Sequence, residues 1–349
     1  MKYKENQLIL ELCKFLDYDR KKIKKLLSEK LDMAYVLGNL MMNRVGGIAY
    51  TVLKDSGCIG LVNREFKSTL ENVFENNKCR TQSFKESLVH MTKMLENVNF
   101  KYVFLKGAYL AYLYPEGCRT SNDIDMLANQ TDLDCIDEIM QRNCFSQGYI
   151  TDNMFVPATR QEKIITRMSR GETIPYIKQI DLPGMKFLEI DVNFSLDFKP
   201  EESFVVKNML DNTNQNILSD TDFLIHLCVH LYKEATTYNW VFMERDMSLY
   251  KFCDIYLWIN RFVNEKYAEL FVSLVKKYNL RKECYYVLYN TQVLFNIENS
   301  LLIKIIDEIK PIDCKFMNEI YNPQDKKIMK YEMDFVNWVF CKNRIGELA

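Results

Sequence analysis

Apolar residues along this chain recur mostly at spacings of three and four, and one central stretch breaks the habit. Asn6–Leu16 and Lys21–Val36 carry the helical period, and Ser83–Val98 repeats it before Asn99. From Ser219 the period returns. It predicts helices over 220–236, 246–262, 264–278, 281–296 and 300–309, and another near 325–342. Ser219-Asp-Thr-Asp222 opens the first of these as a capping-box-like start, with Asp where Glu is usual.

The central stretch has a different texture. Phe100–Leu105 (FKYVFL) is a short aromatic and β-branched run, which predicts a strand. Gly107 breaks it, and Ala108–Tyr114 reads as a short helix ended by Pro115-Glu116-Gly117. Asp123–Ala128 (DIDMLA) alternates polar and apolar and predicts a second strand. Thr131 is placed to cap a helix running to about Arg142. Residues 150–172 are polar and mixed, with no clear period. Thr173–Ile180 and Met185–Leu196, joined by Asp181-Leu182-Pro183-Gly184, read as a β-hairpin with the Pro-Gly as its turn. The pattern gives a helical region at 1–98, a small mixed α/β core at 99–200 and a helical region at 201–349.

Composition narrows the class. With 46 Lys+Arg against 47 Asp+Glu, the chain lacks the basic footprint of a general nucleic-acid binder, so nucleic acid is an unlikely partner. RKKIKKLLSEK (20–30) has six basic residues against one acidic, and reads as a solvated helix face or a local anionic-surface contact. The longest uncharged run, Cys284–Ile297, has 14 residues, short of the roughly 20 that a membrane helix needs. The amino terminus lacks the apolar core and small-residue site of a secretory signal. Eleven scattered Cys with no CxxC, most among apolar neighbours, fit reduced thiols and a cytoplasmic protein.

The candidate chemistry sits in the core. Residues two apart on a strand share a face, so Asp123 and Asp125 project together while Ile124 and Met126 point the other way. Two carboxylates so placed repel unless a cation lies between them, and Mg²⁺ suits one or two carboxylates plus phosphates. Glu189 and Asp191 repeat the arrangement on the hairpin's second strand. If that strand lies beside DIDML, three or four carboxylates converge in the outline of a two-metal phosphoryl-transfer site. An exposed edge strand with solvated acids is the bland alternative. Just upstream, Leu105-Lys106-Gly107-Ala108 could turn backbone N–H groups toward a triphosphate, with Lys106 adding charge.

The run LKGAYLAYLYPEGCRTSNDIDML (105–127) resembles the signature of the uncharacterised bacterial nucleotidyltransferase family within the DNA polymerase β-like superfamily. The resemblance extends over roughly residues 30–260, through Asp32–Leu53 and LIHLCVHLYKEA (224–235). It implies an α+β fold, a small mixed β-sheet flanked by helical regions. It further implies that Asp123, Asp125 and Asp191 are the catalytic set holding two Mg²⁺ (Mn²⁺ as the alternative ion). Lys106, Gly107, Ala108 and Arg119 would then contact the nucleotide. Ala108 replaces the Ser common in the wider superfamily, and Asn193 stands where many members carry a His. Glu189 reads as a metal ligand or a hydrogen-bond acceptor.

His226 and His230, four apart with Lys233, are not HExxH, because Leu227 follows His226. They read as a half-buried structural pair or as a face lining the cleft. The second reading adds His230 and Lys233, with Glu189, to the substrate-pocket candidates. The expected activity is transfer of a nucleoside monophosphate from ATP or GTP to a hydroxyl of a small molecule or peptide, with release of pyrophosphate. The alternatives are a non-catalytic nucleotide- or partner-binding module on the same scaffold and a toxin-type enzyme that nucleotidylates a protein.

Overall fold

Helical spacing in the first hundred residues resolves into α1 (Tyr3–Cys13), α2 (Arg20–Leu27), α3 (Met33–Met42), α4 (Gly46–Asp55) and the long α5 (Arg64–Met94). The computed structural model describes residues 2–196, 203–213 and 216–349, so the expected boundary at 200/201 lies outside the described residues. Lys21–Val36 is two helices instead of one. Asp32 is the reason: its carboxylate accepts a hydrogen bond from Tyr35 N at 3.0 Å and starts α3 afresh. Asp19 does the same for α2 through Lys21 N and Lys22 N.

The core follows as β1 (Tyr102–Phe104), α6 (Gly107–Leu113), β2 (Asp123–Ala128), α7 (Leu133–Arg142), β3 (Ser146–Thr151), β4 (Met154–Pro157), α8 (Arg160–Arg170), β5 (Tyr176–Leu182), β6 (Met185–Asn193) and α9 (Ser203–Asp211). Thr131 is not the cap of α7. It lies within a 3₁₀ turn, Gln130–Asp132, that precedes the helix. Residues 150–172 contain elements that the pattern missed. Asp152 and Asn153, with φ of 52° and 59°, turn β3 into β4, and a capping box of Thr159 and Glu162 starts α8.

The strands form a six-stranded mixed sheet in the order β1-β2-β6-β5-β3-β4, which makes this an α+β protein. Among the described strands of this sheet the β2–β6 pair is parallel and the other neighbours are antiparallel. The β5–β6 hairpin turns at Pro183-Gly184, with Gly184 at φ +73°, the left-handed position such a turn needs. Ile124 and Met126 of β2 and Ile190 and Val192 of β6 are fully buried, in one cluster with Leu88 and Met91 of α5, Leu95 just after it, and Leu133, Ile136 and Met140 of α7. Burial of each such side chain contributes about 1.5–3 kcal/mol. One face of β2 and β6 therefore anchors the sheet and leaves the other available for polar groups.

From residue 220 come α10 (Asp220–Ala235), α11 (Tyr238–Phe242), α12 (Leu249–Phe262), α13 (Glu265–Lys277), α14 (Arg281–Phe295), α15 (Ser300–Ile309), β7 (Glu319–Asn322), β8 (Lys327–Lys330) and α16 (Phe335–Val339). Ser219 Oγ caps α10, accepting from Asp222 N at 3.1 Å while donating to Asp222 Oδ2 at 2.7 Å. The helix expected near 325–342 is replaced by the β7–β8 hairpin and the short α16. Asn322 Oδ1 accepts from Gln324 N, and Lys326 takes φ +54°, so the backbone turns where a helix would have to continue. Residues 75–223 form one compact unit, and residues 1–74 with 224–349 form another. Among the described residues no helix is long and apolar enough to cross a membrane.

Candidate active site

Strand register assembles the acidic patch. On the parallel strands β2 and β6, Asp123 lies opposite Glu189 and Asp125 opposite Asp191. In-register neighbours share a face, as do residues two apart, and adjacent strands lie only about 4.8 Å apart. Four carboxylates therefore occupy one side of two strands whose other side is the core.

Their electrostatics follow from crowding and burial. Asp125 is 5% exposed, and burial pushes its carboxyl up to about 6. Lys106 opposes that rise, while Asp123 adds to it. Burial raises the Asp191 carboxyl well above the usual range, with the Asp123 and Asp125 charges acting in the same direction. Glu189 is also raised, by burial and then by Asp123, with Arg80 pulling against them.

The cation facing Asp125 is Lys106, whose Nζ lies 2.7 Å from Asp125 Oδ1. An unusual turn puts it there. Lys106 has φ 42° and ψ −110°, and Ala108 N donates to Leu105 O at 3.1 Å. This is the geometry of a type II′ turn, whose first central position is normally Gly. A side chain held in such a sparsely populated region costs about 1–3 kcal/mol and persists where its surroundings over-determine it. Leu105 N, donating to Asp125 O at 2.9 Å, ties the turn to β2. At the next residue there is no room for a side chain: a Cβ on Gly107 would stand 1.9 Å from Ser121 Oγ and 2.7 Å from Ser121 Cβ.

Arg119 belongs to the same corner. Its guanidinium donates to the Thr120 carbonyl and lies 3.4 Å from Ser121 Oγ, the hydroxyl that abuts Gly107. Helix α5 holds this loop, with Asn77 Nδ2 donating to Gly117 O and Thr81 Oγ1 to Arg119 O. The Ala108 N–H is already used in closing the turn, so the cations of the corner are Lys106 and Arg119.

Two residues that the motif did not name join the patch. Glu172 forms a β-bridge with Asn193, two residues beyond Asp191 on the same face of β6, and its charge helps raise Asp125 and Asp191. Arg80 of α5 answers Glu189. Neither has a local signal. Glu172 lies in the stretch without a period, and Arg80 sits on a helix far from the motif in sequence. Asn193 donates to Asp191 O at 3.5 Å. His230 and Lys233 lie on α10 in the helical unit. There the His226 and His230 rings stack 6.1 Å apart, and His230 Nε2 is 3.3 Å from Glu234 Oε2, which Lys251 Nζ approaches to 2.5 Å.

Among the described residues no three His, Cys, Asp or Glu side chains already stand in metal-ligand geometry. The donor chemistry nonetheless fits a hard divalent cation. All the donors are carboxylate oxygens; burial raises Asp125 and Asp191, and the neighbouring carboxylates add a repulsion to this that such an ion would relieve.

The sequence profile of a family described as uncharacterised nucleotidyltransferase matches residues 29–296. No curated protein and no solved structure matches the chain.

Proposed function

The chain belongs to this uncharacterised nucleotidyltransferase family, and we propose that it moves a nucleoside monophosphate from ATP or GTP to an acceptor hydroxyl. The observation that carries the reading is the in-register pairing of Asp123-x-Asp125 with Glu189-x-Asp191 beside the Lys106 turn. A lone D-x-D is common. A second acidic pair, Glu189-x-Asp191, on the adjacent strand, with a cation held over the buried Asp125 by a strained turn, makes a costly arrangement that structure alone does not require.

Asp123, Asp125 and Asp191 would hold two Mg²⁺, which when bound polarise the α-phosphate and acidify the acceptor hydroxyl. Lys106 and Arg119 bind and orient the phosphates, with Lys106 giving up Asp125 as it turns to the triphosphate. The acceptor oxygen bonds to the α-phosphorus as the bond from that phosphorus to the pyrophosphate oxygen breaks. Asp191 takes the hydroxyl proton, and pyrophosphate leaves against the charges of Lys106 and Arg119. Gly107 keeps the turn close enough to Ser121 for Lys106 and Arg119 to share one corner.

Pyrophosphate release from ATP and GTP with Mg²⁺, across a panel of hydroxyl acceptors including small molecules and peptides, tests this. The double variant D123N/D125N should fold and release none. Wild-type-like release by the double variant would remove the metal assignment. Mg²⁺-dependent nucleotide binding by the wild type, with no release for any acceptor, would favour a binding module.

A further inference from the structure

Helix α3 carries a glycine in its middle that packing does not require. Glycine weakens a helix interior, and a close approach of another group is the usual reason to keep it there. Gly38 has no such neighbour: a Cβ built on it would meet nothing within 4 Å. The open space is a cavity of about 360 Å³, in the range of small-ligand sites, about 300–1,000 Å³. It lies wholly within the unit of residues 1–74 and 224–349. Ala34, Gly38 and Met42, four apart, line it from one face of α3, while Met247, Val339 and Phe340 supply apolar walls from later segments.

Several polar groups beside the cavity are already engaged. Arg344 reaches it, but its guanidinium donates to Asp246 Oδ1 and to Cys341 O. Asn43 accepts from Leu249 N at 2.9 Å and so caps α12, although Ser248 holds the cap position and makes no side-chain cap bond. Ser248 and Asn39 both line the cavity, and among the described residues nothing bonds Ser248 Oγ or Asn39 Oδ1. Two opposite charges remain. Glu244 and Lys342 line the same cavity and are exposed, and among the described residues neither forms an ion pair with the other or with any third charge.

We propose that this cavity binds a small hydrophobic zwitterion of dipeptide size, with its ammonium at Glu244, its carboxylate at Lys342 and its apolar side chains over Gly38. Charge selects among ligand classes. Glu244 opposes a nucleotide or any other anion, Lys342 opposes a polyamine, and a zwitterion answers both. A nucleobase needs an open ring to stack on, and the Tyr35 ring already carries Lys342 Nζ and Lys2 Nζ at 5.5 and 5.9 Å. The amide between the two ends of a dipeptide has Asn39 Oδ1 and Ser248 Oγ as partners, the few placed polar groups that orient a ligand in an otherwise apolar site. Every residue of the cavity lies outside the unit that holds the acidic patch, so this binding does not rest on the transfer reaction.

The probe is the dipeptide Leu-Phe, titrated calorimetrically into the full-length protein without nucleotide or Mg²⁺. The comparison ligands are N-acetyl-Leu-Phe, Leu-Phe amide, Gly-Gly and AMP, and each should bind at least about tenfold more weakly. Gly38→Leu puts a side chain into open space, so the variant should keep the wild-type Tm or exceed it while losing at least about tenfold in Leu-Phe affinity. Glu244→Gln should erase the preference over the N-acetyl compound alone, and Lys342→Gln the preference over the amide alone. General loss of structure cannot produce that crossed pattern, which decides the matter should Gly38→Leu fail to fold. No binding of Leu-Phe at millimolar concentration, equal binding by either blocked dipeptide, or tighter binding by AMP would overturn the proposal. So would a folded Gly38→Leu protein that binds Leu-Phe as the wild type does.

Discussion

Asp191 is a residue whose charge works against the fold in which it sits. Burial raises its carboxyl first, and Asp123 and Asp125 add to the effect. Asn at this position keeps the shape and removes the repulsion. The metal-free Asp191→Asn protein should therefore be more stable than the wild type by of order 1 kcal/mol. The same change removes an oxygen donor, so Mg²⁺ with ATP should raise the wild-type Tm and leave the variant's unmoved. Thermal unfolding in EDTA and in Mg²⁺-ATP reads both effects, and a variant less stable than wild type in EDTA would refute the repulsion argument. Gly107 makes the opposite case, a residue chosen for what it lacks. Gly107→Ala places a methyl 1.9 Å from Ser121 Oγ, which should cost about 1–3 kcal/mol and weaken ATP binding by shifting the Lys106 turn. Ser121→Gly in the same chain should restore much of both losses. No recovery in the double variant would mean that the close approach to Ser121 is not what requires glycine.

Among elements, those with a strict period were readable and those set by single side chains were not. DIDMLA announces itself because its alternation of polar and apolar positions matches the two faces of β2, and the strand is found at Asp123–Ala128 as expected. The β5–β6 hairpin follows from Pro183-Gly184 and its flanking strands. What the pattern could not supply was the pairing partner. The parallel register of β2 with β6 depends on α7, β3, β4, α8 and β5 lying between them, and it is that register which gathers the carboxylates. Helix α8 was missed because its apolar residues do not pack and its identity rests on its ends. Thr159 Oγ1 accepts from Glu162 N at 3.3 Å, and Glu162 Oε2 accepts from Thr159 N at 2.7 Å. Thr159→Ala removes the reciprocal cap from a helix with little else to hold it. A loss of about 1 kcal/mol there should speed amide exchange across residues 160–170 roughly fivefold, with β2 and β6 unaffected. Unchanged exchange in α8 would show that the cap is not its main support.

For the molecule as a whole, the net charge of −1 conceals how unevenly the charges are distributed. Every residue of the acidic patch and its turn lies within the unit of residues 75–223. The helical unit, drawn from residues 1–74 and 224–349, buries charge for a different purpose. A division by sequence texture into successive regions could not show that the first and last stretches belong together, because contacts between distant segments leave no mark on local periodicity. In that unit Asp246 is fully buried, and Arg344 Nη2 donates to its Oδ1 at 2.7 Å while Arg344 Nη1 donates to Cys341 O at 3.0 Å. Burial raises the Asp246 carboxyl, and Arg344 opposes the rise. The pair ties the end of the chain to the segment before α12, and Lys330 and Ala349 exchange backbone hydrogen bonds nearby in sequence. Removing one member of a buried ion pair leaves the other's desolvation uncompensated, a loss of about 3–5 kcal/mol. Arg344→Ala should therefore destabilise the helical unit strongly. Replacing both partners, as in Asp246→Leu with Arg344→Met, should recover most of the loss, because the desolvation cost disappears along with the attraction. Hydrogen exchange over residues 244–262 and 327–349, measured in the single and double variants, separates the two outcomes. If the double variant exchanges as fast as Arg344→Ala, the contribution of Arg344 is packing, and the ion pair is not what fastens the carboxyl-terminal segment.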